Sequence, residues 1–477
     1  MSELKKEITF FGLLAFGMAG IIGTSWTYMN TRFYKLYGPG GVIAGFCIGI
    51  VMAALVALSY SELGSLIKRE GGEIAFAYPV LGLKGSFAAA WMLFLGYITG
   101  AMAFYVIGFP LLLSWFFPQL NTIPIYYVAG EPVYLPFLLV GICGALFFFY
   151  LNYRGVKMAQ GFQIAFFVAL ISIGVLAFIV ALIVGKPSNL NPLFPPKANP
   201  LESSWRFALI TIGYLTGFSM LTMVGEESAV TAKKFGLAIV LSVTLAGVFY
   251  IAEMFAGAYM MPVTESIKLD RGLIDEMTLI AKPLGFLMWL AGFIGLITSW
   301  NAAVLAGSRM LFAMARCGFL PEVFMKLHKK YGTPTYALAL ATLVSIVFGM
   351  LGPKGLIWFL DTTGVAIGVA WGISVLSMIL MRRKYPNIAR PFSTPGGILT
   401  AAVAIIIVAL VIILPLIPGT PMSLVWPYEY VVLIGWVIAG VILYLASKGK
   451  REKLGEETIA KRLLGEYFDM FYKKAEE

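Results

Sequence analysis

Long apolar runs alternate along the chain with short polar connections. The runs lie near 8–28, 40–67, 86–114, 134–152, 160–184, 205–228, 236–262, 283–313, 335–351, 355–381, 398–417 and 428–446. Each reaches or approaches the ~20 apolar residues that cross a bilayer core, so the pattern predicts about twelve membrane-spanning helices. The ninth and tenth are separated by Gly-Pro-Lys-Gly at 352–355. No connection is long enough for a separate soluble domain. The longest outer ones, 115–133 and 185–204, are rich in Pro, Asn and Tyr and are expected to cap helix ends. The expected organisation is a membrane domain over 1–446 and a tail over 447–477. In the tail, Ile459, Leu463, Leu464, Tyr467, Phe468 and Phe471 recur at helical spacing. That spacing predicts an amphipathic helix on the inner membrane surface or on the cytoplasmic loops.

Composition agrees: 60% of residues are hydrophobic and 12% charged, with mean hydropathy +0.88. Soluble domains are about a quarter charged. The charged start runs directly into a span, so no cleavable signal is expected. The net charge of +11 matters through its distribution. With an even number of spans, the larger share of Lys and Arg falls on the side of the N-terminus, including Lys68, Arg69, Arg154, Lys233, Arg316 and Arg382. This bias places both termini in the cytoplasm of a cell-membrane protein. It implies contact with anionic lipid rather than nucleic acid. Cys47, Cys143 and Cys317 are scattered, and His328 stands alone beside Lys329 and Lys330, so no disulfide framework or metal cluster is expected.

Two spans are weakened where strength is expected. The first holds Gly17, Gly20 and Gly23, and the sixth holds Gly213, Gly217 and Gly225. Each interior Gly costs a helix roughly 1 kcal/mol relative to Ala. Interrupted spans five helices apart point to an inverted repeat, in which two broken helices meet near the bilayer midplane around a ligand. Gly also eases helix packing, so glycine alone leaves both readings open.

Further segments carry a resemblance. Residues 20–26 read GIIGTSW, residues 60–82 end a span with Tyr-Ser-Glu-Leu-Gly and a Gly-Gly pair, residues 152–163 read NYRGVKMAQGFQ, and 308–338 run from Ser-Arg-Met-Leu-Phe to Thr-Tyr-Ala-Leu. In this order they resemble the amino acid–polyamine–organocation permease superfamily across spans 1–10. The resemblance implies an all-α membrane fold of two inverted five-helix repeats (8–184 and 205–381). Spans 1 and 6 would be broken, and spans 11 and 12 (398–446) peripheral. It also implies secondary transport of amino acids or related amines. Two departures stand out: Ser25 replaces a glycine of the family signature, and the stretch after Ser228 lacks the family's acidic Lys-Asn-Pro element.

By this resemblance, Gly20, Gly23, Thr24 and Ser25 hold the substrate carboxylate, which suits exposed amides at a half-helix N-terminus. Leu221, Thr222, Met223 and Val224, ending at Gly225, form the unwound turn whose carbonyls accept an ammonium. Trp26 and Phe218 are candidates to cover the substrate. Glu227, rather than Glu226, matches a position linked to proton coupling. Thr298 and Ser299, with carbonyls near Gly20, match a sodium site, so sodium and proton both stand as coupling ions. Span 5 lacks the lysine that fills that site in some proton-coupled members. Glu253 and Asp361 are further charges inside spans and functional candidates on that ground, Asp361 near the outer end.

No acidic group lies in the first broken segment, which points to a neutral amino acid; a polyamine or organic-amine carrier is the alternative. An enzyme would need a catalytic constellation that one His and scattered acids do not supply. A channel would need a charge ring or filter loop, and neither is seen.

Overall fold

The computed structural model describes residues 4–420 and 422–472. Among them, ten helices are long and apolar enough to cross a membrane, joined by two shorter apolar helices, Phe10–Ile21 and Thr335–Gly349. The fold is all-α apart from one antiparallel hairpin, Pro124–Val128 with Glu131–Tyr134, between spans 3 and 4. Its register follows the turn at Ala129 and Gly130, both at positive φ. Span 8, Lys282–Arg316, is the central post: 89% of its apolar window is buried in protein, against 11% for Tyr428–Ala446, which faces outward at the periphery.

Several boundaries differ from the apolar pattern. Span 1 begins as Phe10–Ile21, breaks, passes through the short 3-10 turn Ser25–Thr27 and resumes as helix at Asn30. It ends only at Gly38 (φ +70), where Pro39 starts span 2 without a loop. Polar residues sit inside this extension because neighbours satisfy them. Asn30 Nδ2 donates to Glu276, and its Oδ1 accepts the Leu273 amide at 2.8 Å. Gly38 has no room for a side chain, since a Cβ would collide with the Leu193 carbonyl.

Span 3 starts at Glu73, well before the expected 86, bends at Gly82 (φ +62) and passes through a π-helical stretch, Phe94–Met102. Span 6 starts as Pro200–Tyr214, capped by Asn199, and tightens into the 3-10 stretch Thr216–Met223. The Gly-Pro-Lys-Gly segment does not stand between spans 9 and 10. The break falls at Met350 and Leu351, and Pro353 lies in the first turn of Gly352–Lys384, where its missing N–H costs nothing.

Spans 2 and 6 approach closely through small residues: Cβ atoms placed at Gly45 and Gly49 would lie 2.9 Å and 2.5 Å from Phe207 and Thr211. At the ends of the spans on the side of the N-terminus, Glu62 of span 2 pairs with Arg382 of span 10 at 2.5 Å and with Arg390 at 3.1 Å. The tail forms short helices Lys448–Leu454, Glu456–Leu464 and Phe468–Tyr472. Ile459, Leu463, Leu464 and Phe471 are buried against the bundle, so the tail packs on the protein itself. Tyr467 and Phe468 are half-buried, and 473–477 lie outside the described residues.

Candidate functional site

The helical ladder of span 1 ends with Ile22 N–H donating to the Met18 carbonyl at 2.6 Å and Gly23 N–H to Ile21 at 3.0 Å. A helix C-terminus leaves carbonyls without internal partners, and buried ones must find others. Here side chains supply them. Ser299 Oγ lies 2.5 Å from the Ala19 carbonyl and 3.3 Å from that of Ile22. The Tyr250 hydroxyl donates to Ile21 at 2.7 Å, and the Trp26 indole to Gly23 at 3.1 Å. On the other side of the break, no backbone carbonyl accepts the amides of Thr24 and Ser25 among the described residues. The Thr24 hydroxyl is buried without a partner. A Cβ at Gly23 would meet nothing within 4 Å. Free donors therefore border open space, as expected only where irregular backbone lines a cavity.

The second interruption meets the first. A Cβ at Gly217 would collide with the Gly20 carbonyl, and one at Gly20 would lie 3.2 Å from the Gly217 carbonyl. The two backbones touch because neither position carries a side chain. Span 6 leaves α geometry at Leu215, six residues before the expected 221–224, and the 3-10 stretch runs on through Met223. Leu221, Thr222, Met223 and Val224 are buried further down. Leu221 packs at the level of Gly17, and it lines a narrow cavity with Val224, Phe16, Met220 and Ala302. Gly20, Gly23, Thr24 and Ser25 thus share the break with Gly217, whereas 221–225 do not stand beside Gly23.

Trp26 and Phe218 are both buried in aromatic packing, Trp26 edge-on to Phe249 at 5.0 Å and Phe218 on Trp371 at 5.1 Å. Of the two hydroxyls expected together on span 8, Ser299 reaches the break. Thr298 Oγ1 instead donates within its own helix, to Ile294 at 2.9 Å or Gly295 at 3.1 Å. Gln163 of span 5 donates to the Thr298 carbonyl at 3.2 Å and accepts from Asn301 at 2.7 Å.

Below Val224 the same spans enter a charged layer. Glu227 is held by Arg309 through two contacts, 2.6 and 2.9 Å, both side chains fully buried. Glu226 is shared between Arg69 at 3.0 Å and Arg316, whose Nη2 lies 3.0 Å away. The loop from span 2 to span 3 seals this layer: Glu70 forms a bridge with Val224, and Gly225 lies against the Arg69 backbone. The N-terminal segment pairs with the exit of span 6, where Glu7 and Ile8 amides donate to the Glu227 carbonyl. Lys68 donates to the Ser228 and Val230 carbonyls at 2.8 and 2.7 Å, and burial with Lys6 nearby pushes its ammonium below the usual range. Arg69 also donates to the Leu463 carbonyl of the tail at 3.2 Å. Glu70 and Glu73 are fully buried. Their signal was present in the sequence, since a Gly-Gly pair flanked by two glutamates closes an otherwise apolar region.

Three other expectations resolve separately. Glu253 is buried against Gly174 of span 5, with Oε2 unpartnered. Asp361 faces Glu429 of span 12. His328, alone in the sequence beside Lys329 and Lys330, is half-buried, stacked on Tyr331 and 3.1 Å from the Tyr153 hydroxyl.

Residues 8–439 match the family model described as amino acid permease. The chain is 26% identical to the "Branched-chain amino acid permease BcaP" of Bacillus subtilis (strain 168), over 95% of each chain. It is 26% identical to the "Methylthioribose transporter" of the same organism, covering 82% of this chain and 85% of the relative. It is 24% identical to that organism's "Aspartate-proton symporter", covering 86% and 79%.

Proposed function

This chain belongs to the amino acid permease family, a family of transporters rather than enzymes, and from that premise we propose that it carries a neutral amino acid across the cell membrane by alternating access. Both termini are placed in the cytoplasm by the bias of basic residues. The observation that carries the reading is the crossing of spans 1 and 6. The amides of Thr24 and Ser25 and the Thr24 hydroxyl lack partners there, beside open space at Gly23. Those donors suit a carboxylate, and with Gly20 they form the substrate site. The 3-10 stretch of span 6 offers carbonyls to an ammonium, with Leu221, Thr222, Met223, Val224 and Gly225 continuing the path toward the cytoplasm. Trp26 and Phe218 act as the aromatic walls that hold the two segments in place.

Transport is coupled to an ion or to exchange. Ser299 with the Ala19 and Ile22 carbonyls offers three oxygens that fit sodium; Thr298 joins only by giving up its own helix. Glu227 enters the cycle with Arg309, as the pair that must part when the cytoplasmic end opens.

The test is uptake into proteoliposomes of labelled leucine, serine, glutamate, lysine, spermidine and methylthioribose, with sodium and pH gradients imposed separately. Saturable leucine or serine uptake, stimulated by internal substrate, is expected; unsaturable flux would mean a pore. The second reading is a polyamine or organic-amine carrier. A cargo without a carboxylate would make Ser25→Ala milder than Glu227→Gln, whereas an amino acid should make Ser25→Ala the more damaging; equal loss in both would leave the amino acid reading unsupported.

A further inference from the structure

The coupling ion can be assigned from one hydroxyl. The assignment rests on the transport reading above. Glu73 opens span 3 behind Gly71 and Gly72, and its side chain is fully buried. The groups that face it are its own backbone amide, Tyr60 of span 2, Tyr97 of span 3 and Thr222 of span 6, with Ser374 of span 10 beside Tyr60. No Lys or Arg is among them. The nearby cations Arg69, Arg309 and Arg316 are engaged by Glu226 and Glu227.

The Thr222 hydroxyl has two oxygen neighbours, the Ser219 carbonyl at 2.7 Å and Glu73 Oε2 at 3.1 Å. A hydroxyl carries one proton, and a carbonyl has none to give. The shorter contact therefore takes the Thr222 proton. The longer one becomes a hydrogen bond when Glu73 brings a proton of its own and donates it to the Thr222 oxygen. The other carboxyl oxygen, Oε1, is buried with no partner. A neutral acid tolerates that far better than an anion, whose burial without partners is strongly unfavourable. Glu70 lacks hydrogen-bond partners as well, and Glu227 and Glu226 face it along with Arg309 and Arg316, but no hydrogen bond links its carboxyl to span 6, so span 6 has no contact through which to read its proton.

We infer that Glu73 is the proton-carrying residue of the transport cycle, and that its proton is read by span 6 through Thr222. While the cytoplasmic layer is sealed, the Glu73 O–H holds the 3-10 stretch in place. When Arg69 and Glu226 part, water reaches Glu73. Its O–H bond then breaks, the proton passes to cytoplasmic water, and the carboxylate left behind can only accept from Thr222. That reverses the hydrogen bond and frees the Ser219 carbonyl. Reprotonation from water on the outer side restores the first state, so one proton enters with each substrate. Glu73 is a coupling residue, not a contact of the substrate.

The test uses the full chain in proteoliposomes with labelled L-leucine, L-serine and L-glutamate. At one proton per substrate, an imposed gradient of about one pH unit sustains about tenfold accumulation. We expect the wild-type protein to show this accumulation and a sodium gradient to add nothing. Glu73→Gln should abolish the effect of the pH gradient while counterflow exchange continues. Wild-type-like proton-driven accumulation by Glu73→Gln, or a wild type driven by sodium and not by protons, overturns the assignment. Where Glu73→Gln does not assemble, Thr222→Val decides. It should shift the pH midpoint of uptake by about half a unit, through loss of the hydrogen bond to the acid, and an unmoved midpoint overturns the assignment. No counterflow with any of the three substrates in wild-type protein would instead remove the transport reading itself.

Discussion

Where spans 1 and 6 cross, Gly20 rests on Gly217, and the polar groups are amides, carbonyls and the hydroxyls of Thr24, Tyr250 and Ser299. A few turns toward the side of the N-terminus, the same span 6 ends among Glu226, Glu227, Arg69, Arg309 and Arg316, all buried. The crossing thus works with neutral dipoles and the far end of span 6 with full charges. A site of dipoles can release a charged ligand without leaving a buried ion behind. An ion-pair layer behaves otherwise, because separating the partners in a dry interior is costly until water enters. One region is built to exchange partners and the other to stay shut or open as a unit.

The comparison breaks most visibly at Arg309. Arg309→Ala should destabilise the protein by about 3–5 kcal/mol, because Glu227 is left buried and unpaired, and replacing both by apolar residues should recover most of that loss. Thermal unfolding in detergent measures both; a mild single variant would mean the layer is wetter than its burial implies. At the crossing, Thr24→Val should weaken substrate binding by about 1.5–3 kcal/mol, the worth of a hydrogen bond to a charged group. Its melting temperature should barely move, since the hydroxyl has no partner in the protein. An unchanged KM would remove Thr24 from the site.

Gly217→Ala sharpens the same contrast. The added methyl meets the Gly20 carbonyl rather than a flexible side chain, so we expect about 1–3 kcal/mol of overpacking and impaired uptake.

The smallest effect lies in the tail. Arg462, 2.7 Å from Glu322, holds that carboxyl below the usual carboxylate range. Because the folded value is depressed, the contact's contribution is present above the unfolded carboxylate pKa and is lost as pH falls through the folded one. Hydrogen-exchange protection over 456–464, corrected for the intrinsic pH dependence of amide exchange, should therefore fall slightly in acid and stay constant near neutrality. Glu322→Gln should remove that acid dependence.

Glycine is common in membrane helices, so by itself it left packing and interruption both open in spans 1 and 6. Gly20 and Gly217 are where the two backbones touch. The unwinding at Leu215 was not legible: the apolar run continues unchanged through 221–224, and only the tighter 3-10 winding reveals the shift. Thr298 and Ser299 are adjacent and equivalent on paper, yet a helix turns successive residues by about 100°, so one faces the break and the other its own backbone. The tail's stripe of apolar residues announced a docked helix but not its partner. The hairpin at 124–134 carried a turn signal in its Ala-Gly pair that the Pro-rich surroundings obscured.

The order of apolar and polar residues by itself determined a polytopic helical membrane protein and marked two glycine-interrupted spans. Hydrophobic length acts locally and needs no partner to be read. Tertiary structure alone decided which buried acids are paired. Glu226 and Glu227 are paired with arginines from spans as distant as the eighth, while Glu73 finds hydroxyls and its own backbone amide but no cation. The protonation of a buried group depends on what surrounds it in space, and that neighbourhood is assembled from residues far apart along the chain.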